Sequence, residues 1–405
     1  MGNGHLEAAI TYELYDVAHL NLAPARWGAS TVQSLLESPF NPFAYTPVGR
    51  MLSASAEVFT GATQRRSKPA WNVAATLETI DDRPFGSLVR FSRERTHPVP
   101  QVLLVAPMSG HYATLLRGTV EALVESHDVY VTDWKDARDI PLAAGRFDLD
   151  DYIAYLMDYM RLLGPDLHVI AVCQPAPAVL AAIAIMAAHD DPAQPRSMTL
   201  MGGPVDTRVA PTAPTELSQT KPLSWFQDEL TVTVPAYYAG AGRKVYPGFV
   251  QLGSFLAMNP IRHFDAHVKM YNELVSGEAA SARSRRAFYD EYFSIMDISA
   301  EYFLQTVDVI FQSHALPRGE MMWRGERVDT RLIERTALMT VEGELNDISA
   351  PGQTYAAQAL CPNIPDARRD QYLQPGVGHY GIFNGHHWRD EIAPRIGAFI
   401  RRVSD

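Results

Sequence analysis

The chain has 405 residues, of which 47% are hydrophobic and 20% are charged, so it is long and apolar enough for a sizeable buried core. Its 46 acidic and 35 basic residues give a formal net charge of −11, which argues against nucleic acid as a partner. There are two cysteines, and the N-terminus lacks the basic-then-apolar pattern of an export signal. We therefore expect a cytoplasmic protein with reduced thiols.

Residues 1–84 are predicted to form an N-terminal helical extension. Leu6, Ile10, Leu14 and Val17 recur at helical spacing, and a proline-punctuated loop follows at Ser38–Pro47. The sequence of this extension indicates no function.

From about residue 85, short apolar runs alternate with helical stretches, the pattern of parallel βα units. Residues 85–205 and 330–405 are therefore predicted to form an α/β core with a mostly parallel sheet flanked by helices. The predicted strands are Val102–Ala106, Val129–Thr132, Leu167–Val172, Met198–Met201, Ala337–Val341 and Gln371–Leu373.

The alternation stops in residues 206–329, which we interpret as a helical cap inserted into the core. This segment contains 17 of the 40 aromatic residues of the chain. The rings are expected to form the core of the cap, and some of them are expected to line a groove for an apolar substrate. The candidates for substrate binding are Trp225, Phe226, Tyr237, Tyr238 and Phe249.

Residues 169–188 are twenty uncharged positions, the length of a membrane span. Gln174, Pro175 and Pro177 interrupt this stretch, however, and a β-branched run precedes them. A buried strand, a sharp turn and a buried helix explain the same residues, so we expect no membrane span.

The turn in that stretch places Cys173 between a strand and a helix, where α/β-hydrolases carry their nucleophile. Ala171 and Pro175 occupy the positions that are glycine in the G-x-S-x-G pattern, although proline suits the first helical position. A thiol at a helix N-terminus is expected to favour the thiolate form. The alternative is that Cys173 is an inert core residue.

Two partners for Cys173 follow in the order nucleophile, acid, base. Asp347 lies in the loop after the predicted strand Ala337–Val341, and His379 lies between glycines just before the last helix. We expect His379 to accept the thiol proton and Asp347 to fix the imidazole tautomer. Rival acids remain in the chain, namely Asp206, Glu342 and Glu344.

The backbone N–H groups of Gln174 and of Met108 or Ser109 are predicted to form an oxyanion hole. Met108 and Ser109 lie in the loop after the predicted strand Val102–Ala106, and Gly110 lets that loop pass close to a substrate. Ser109 is also a rival nucleophile, but it occupies the oxyanion-loop position.

The sequence gives no sign of a cofactor. It lacks the G-x-G-x-x-G and Walker patterns, H-E-x-x-H and paired C-x-x-C motifs. His386 and His387 are adjacent residues with no third ligand beside them, so no metal site is expected either.

Five blocks of sequence resemble the intracellular polyhydroxyalkanoate depolymerases, specifically the poly(3-hydroxybutyrate) type. The blocks are residues 107–117 (PMSGHYATLLR), 131–134 (VTDW), 171–175 (AVCQP), 201–204 (MGGP) and 376–381 (GVGHYG). The resemblance runs from about residue 35 to the C-terminus. It implies an α/β-hydrolase fold and a cysteine nucleophile, and the family's cysteine, aspartate and histidine match Cys173, Asp347 and His379.

The function implied by the resemblance is ester hydrolysis of poly(3-hydroxybutyrate) on cytoplasmic granules, through an acyl thioester. The expected products are 3-hydroxybutyrate oligomers or monomers, and the expected partner is the polymer or the granule surface. Polyester synthases share the Cys–His–Asp arrangement, so a transferase is the first alternative. A small-ester hydrolase and a non-catalytic granule-binding protein are others, and the sequence leaves a homo-oligomer open.

Overall fold

A computed structural model describes residues 3–38, 40–258 and 260–404. Its centre is an eight-stranded sheet with the strand order β1-β2-β4-β3-β5-β6-β7-β8. The strands are β1 Thr76–Asp82, β2 Gly86–Ser92, β3 Gln101–Val105, β4 Asp128–Trp134, β5 Leu167–Val172, β6 Ser197–Met201, β7 Ala337–Gly343 and β8 Arg369–Gln374.

β2 pairs antiparallel with both β1 and β4, and the pairs from β4 to β8 are parallel. This order and these directions confirm the predicted α/β-hydrolase fold, with helices on both sides of a mostly parallel sheet. The strands predicted from apolar runs are all present. The β1–β2 hairpin was not predicted, because β1 is largely exposed and carries no apolar run. It starts inside the predicted extension 1–84, so the sheet begins before residue 85.

The helices of the core lie between the strands and after the last one. They are α3 Arg117–Leu123, α4 Leu149–Leu163, α5 Ala176–Ala188, α12 Ala357–Leu360, α13 Gly385–His387 and α14 Ala393–Ser404. In α5 the residues Ala176–Met186 are all buried. The apolar run at 169–188 is thus a buried strand and a buried helix. In the described part of the chain, no helix combines the length and the apolar character that crossing a membrane requires.

The segment between β6 and β7 contains six further helices: α6 Ala213–Thr220, α7 Leu223–Leu230, α8 Gly248–Met258, α9 Pro260–Ser276, α10 Ala279–Tyr292 and α11 Ala300–Thr306. A small sheet of Val232–Thr233, Lys244–Tyr246 and Ile298–Ser299 accompanies them, together with a short hairpin of Met322–Trp323 and Glu326–Arg327. This segment covers the carboxyl ends of the central strands, because its residues share a cavity with the loops that follow β3, β5 and β8.

Two helices precede the sheet, α1 Asn3–Glu37 and α2 Pro47–Thr63. α1 packs on α2, and α2 packs on α9. The buried Tyr12 of α1 contacts the rings of Tyr238 and Phe249, and its hydroxyl donates a hydrogen bond to Asp297. The beginning of α1 is therefore anchored to the inserted segment.

Candidate active site

Cys173 occupies a strained turn between β5 and α5. Its φ is +67°, in the left-handed region that residues other than glycine seldom adopt. The Cys173 N–H donates to the carbonyl of Met201 at the end of β6, with an N···O distance of 2.7 Å. This is the backbone form of a nucleophile elbow, which directs the side chain out of the sheet edge.

Gly203 makes room for this turn. A Cβ atom at Gly203 would lie 2.5 Å from the carbonyl oxygen of Cys173 and 2.3 Å from the Cβ of Ala176. No other residue type fits there without a backbone shift. The turn at Cys173 therefore has small residues on two sides: Ala171 in β5, and Gly203 just after the end of β6. The Gly202–Gly203 pair is the sequence signal that points to this contact.

The electrostatics of Cys173 differ from the sequence expectation. Burial raises the pKa of the Cys173 thiol to about 12, and a hydrogen bond from the backbone N–H of Gln174 opposes this shift only in part. Loss of solvation thus favours the neutral thiol over the thiolate in the resting site. A base is needed to remove its proton.

His379 follows β8 and begins a short helical turn, His379–Ile382. It is buried, and its Nδ1 lies 3.1 Å from Oδ1 of Asn346. The same Oδ1 accepts the backbone N–H groups of Ile348 and Ser349 at 3.1 and 3.0 Å, which identifies it as the amide oxygen. Nδ1 therefore carries the ring proton, and Nε2 carries the lone pair that a general base needs.

Asn346, which the sequence analysis did not consider, thus holds the position expected for the acid. The predicted acid, Asp347, is its neighbour and lines an adjoining cavity of about 530 Å³ together with Tyr380. The adjacent Asn and Asp both follow β7, and the sequence alone does not show which of them faces the imidazole.

The rival acids are engaged elsewhere. Asp206 forms an ion pair with Arg208 at 2.8 Å. Glu342 accepts backbone N–H groups of the loop after β7, including that of Thr354 at 2.8 Å, and Glu344 accepts the N–H of Gly376 at 2.7 Å. All three hold loops in place.

The residues predicted for the oxyanion hole come together. The N–H of Met108 donates to Oε1 of Gln174 at 3.2 Å, and Nε2 of Gln174 donates to the hydroxyl of Tyr302 on α11. Ser109 lines the same cavity. An amide oxygen thus occupies the place in front of the Met108 N–H where a substrate oxygen is expected.

A cavity of about 640 Å³ connects these groups. It is lined by Cys173, Gln174, His379, Met108 and Ser109 on the core side, and by largely apolar side chains of the inserted segment. Phe226, Tyr246, Phe255, Tyr302 and Phe303 are among the latter. A site of this size and lining suits an apolar ligand with a few polar groups.

Of the five predicted substrate-binding aromatics, only Phe226 lines this cavity. Trp225 packs edge-on against Phe226 and is not among the lining residues. Tyr237, Tyr238 and Phe249 anchor α1 instead: Tyr237 donates to Asp16 at 2.8 Å, and the other two contact Tyr12. These four residues thus lie outside the lining of this cavity, because aromatic content does not tell a cavity wall from a helix contact, and their role in substrate binding stays a prediction.

Within the described residues, no cluster of three or more His, Cys, Asp or Glu side chains is arranged to hold a metal ion.

The strand order, the elbow at Cys173 and the histidine after the last strand define an α/β-hydrolase. The family described as "PHB de-polymerase C-terminus" matches residues 202–404, which is half of the chain. The protein therefore belongs to the poly(3-hydroxybutyrate) depolymerase family and is a carboxylic ester hydrolase.

Solved structures similar to this chain include a thermophilic esterase from Thermogutta terrifontis, with 14% identity over 82% of this chain and 100% of the esterase, and a TM-score of 0.43. A monoacylglycerol lipase from Paleococcus ferrophilus has 13% identity over 78% and 99% of the two chains, with a TM-score of 0.44. A bromoperoxidase from Bacillus anthracis has 10% identity over 81% and 100%, with a TM-score of 0.44. A search of curated proteins found no match.

Proposed function

We propose that this protein hydrolyses the ester bonds of intracellular poly(3-hydroxybutyrate) through an acyl thioester on Cys173, and releases 3-hydroxybutyrate oligomers or monomers. The observation that carries this proposal is the placement of Cys173, in a left-handed strand-to-helix turn, in the wall of the same cavity as His379. The family supplies the substrate class.

The neutral thiol defines the first step. Nε2 of His379 removes the Sγ proton as the sulfur attacks the ester carbonyl, and the imidazolium then gives this proton to the departing alkoxide. The acyl group remains on Cys173 as a thioester. In the second half-reaction, His379 removes a proton from water, hydroxide attacks the thioester, and the protonated ring returns the proton to the sulfur.

We propose that Asn346 and Asp347 divide the role of the acid. The amide oxygen of Asn346 holds Nδ1–H and fixes the tautomer. The carboxylate of Asp347, on the same turn and beside Tyr380, stabilises the imidazolium that forms during attack. A Cys–His–Asn arrangement is used by papain-like proteases, so an amide at this position is chemically competent.

The oxyanion is stabilised by backbone N–H groups of Gln174 and Met108, with Ser109 beside them. In the resting structure the Gln174 side chain satisfies the Met108 N–H. Substrate binding therefore requires this side chain to turn away, and the substrate oxygen replaces it. The segment 206–329 acts as the cap over this site, because it supplies Tyr302 and the aromatic wall.

The proposed place of action is the surface of polymer granules in the cytoplasm, with the polymer as partner and without a role for nucleic acid. The test is acid release from amorphous poly(3-hydroxybutyrate) particles and from a soluble butyrate ester, by the wild type and by Cys173→Ala. We expect the wild type to act on both and the variant on neither. Polymer formation from a hydroxyacyl-CoA would instead identify a synthase, and cleavage of the soluble ester alone would identify a small-ester hydrolase.

A further inference from the structure

The helices α1 and α2 expose an unusual amount of apolar surface. The segment from Leu14 to Leu52 is about a tenth of the chain, yet it contributes about half of the large apolar side chains that are exposed in the described residues. They are Leu14, Val17, Leu20, Leu22, Trp27, Val32, Leu35, Phe40, Phe43, Tyr45, Val48, Met51 and Leu52. Monomeric proteins seldom expose so many together without a binding partner.

One face of α1 illustrates the arrangement. Leu20, Trp27 and Leu35 are seven and eight positions apart, which places them on one side of a helix. Their exposed fractions are 69%, 75% and 60%. The adjoining helix α9 extends the surface with Ile261 and Phe264. We call this set, from α1, α2 and α9, the apolar face.

Several charged side chains of the same region bind other parts of the protein, whereas Glu37 and Arg50 are exposed. Glu57 of α2 pairs with Arg286 of α10 at 2.6 Å, and Asp16 of α1 pairs with Arg65 at 2.8 Å. Arg26 donates to the carbonyl oxygens of Thr63 and His19.

The charge of the region excludes some partners. Between Val17 and Thr60 the charged residues are Arg26, Glu37, Arg50 and Glu57, with no lysine and a net charge of zero. Anionic membranes are bound by basic segments, which this region does not have. The occupant of the apolar face is expected to be uncharged.

The apolar face also continues towards the catalytic cavity. The helix α9 lines the adjoining cavity through His263, Ala266 and Lys269. That cavity and the catalytic cavity share Phe255, Met258, Ile348 and Tyr380. The part of the apolar face on α9 is therefore carried by the same helix that lines the adjoining cavity.

We propose that the apolar face docks the enzyme on the surface of amorphous poly(3-hydroxybutyrate), an uncharged polyester. This inference rests on the proposed function for its choice of polymer. Docking buries the exposed leucines and Trp27 against the polyester and delivers chains to the cavity beside α9. A role is thereby assigned to the N-terminal helices, for which the sequence indicated none.

The test compares two triple variants. The face variant is Leu20→Gln, Trp27→Gln and Leu35→Gln, and the matched control is Leu162→Gln, Leu332→Gln and Leu373→Gln, which lie in the core segments with exposed fractions of 54%, 46% and 48%. Each protein is sedimented with amorphous poly(3-hydroxybutyrate) particles, and hydrolysis of the particles and of a soluble butyrate ester is measured.

We expect the face variant to bind particles at least about 10-fold more weakly and to hydrolyse them correspondingly more slowly. Its activity on the soluble ester is expected to stay within about 2-fold of wild type, which also shows that it is folded. The control is expected to match wild type in every assay. Equal binding by the face variant and the wild type would overturn the proposal.

Other occupants give different results. If the wild type is a dimer by size-exclusion chromatography with light scattering and the face variant is a monomer, the face joins two copies of the chain and the proposal is wrong. Equally tight binding to phosphatidylglycerol vesicles would also overturn it. If Cys173→Ala binds particles like wild type, while the wild type releases no acid from them, docking is upheld and the proposed hydrolysis fails.

Discussion

The apolar run at residues 169–188 and the N-terminal helices both contain many large apolar side chains, which are buried in the first segment and exposed in the second. In the first, every residue of Ala176–Met186 is buried against the sheet. In the second, Trp27 and its neighbours are exposed, while Glu57 pairs with another part of the chain. The burial of an apolar side chain therefore depends also on what the rest of the chain packs against its segment. In our proposals, the core carries the chemistry and the N-terminal helices carry the docking.

The largest effect expected from a core variant is that of Cys173→Ala. Loss of the proposed nucleophile should lower kcat/KM at least about 1000-fold on both the soluble ester and the particles. The other cysteine provides the control, because Cys361 is buried away from the cavity and Cys361→Ala should keep its activity. Full activity of Cys173→Ala would contradict the proposal that the core hydrolyses the ester at Cys173, because the reaction would then not need this thiol.

The second-largest effect is expected in the pH dependence of alkylation at Cys173, because the thiolate is the form that reacts. With a thiol pKa of about 12, the thiolate fraction rises about tenfold for each pH unit between pH 7 and pH 9. In His379→Ala, which lacks the base, the rate of iodoacetamide alkylation at Cys173 should therefore rise about 100-fold over this range. Mass spectrometry of the modified peptide measures it. A rate that levels off near pH 7 would show a preformed thiolate.

The next prediction compares the two adjacent residues Asn346 and Asp347, for which we propose a shared role as partner of His379. Asp347→Asn keeps the size of the side chain and removes its charge, and we expect about a 100-fold lower kcat with little change in KM. Asn346→Ala removes the acceptor of Nδ1–H, and we expect about a 10-fold loss. Both values come from steady-state kinetics on the soluble ester. The reverse ranking would make Asn346 the principal partner of His379 during turnover.

The smallest effect is expected at the contact between the core and the cap. Tyr302→Phe removes the hydroxyl that accepts Nε2–H of Gln174 and leaves this amide group underbonded. We expect the free energy of unfolding to fall by about 1–2 kcal/mol and kcat to change only a few-fold. Denaturant unfolding and soluble-ester kinetics measure the two quantities. A loss of activity as large as that of Asp347→Asn would place Tyr302 in the reaction itself.

Most of the sheet was predictable, because buried parallel strands are continuous apolar runs bounded by turns. The strands β5 and β7 and the elbow between β5 and α5 were predicted on this basis. The hairpin of β1 and β2 was missed, because the edge strand β1 is largely exposed and β2 mixes buried and half-buried residues instead of forming a continuous apolar run.

The site was only partly predictable, for a different reason. Cys173, His379 and Met108 follow strand ends, so topology brings them together. Which of Asn346 and Asp347 faces the imidazole depends on the backbone path of one turn, which composition does not encode. Cys173 also lies in a cavity whose wall includes residues of the segment 206–329, in which the sequence has no regular pattern of strands and helices.

Gly203 limits how this enzyme can be redesigned. Even a methyl group at that position would collide with the carbonyl oxygen of Cys173. The ends of β5 and β6 are thus in van der Waals contact at Cys173 and Gly203, with no space for a larger side chain. Directed evolution of substrate range therefore has to keep Gly203 unchanged. New specificities are more accessible in the aromatic wall contributed by residues 206–329, where side chains change shape without disturbing the backbone that carries the sulfur.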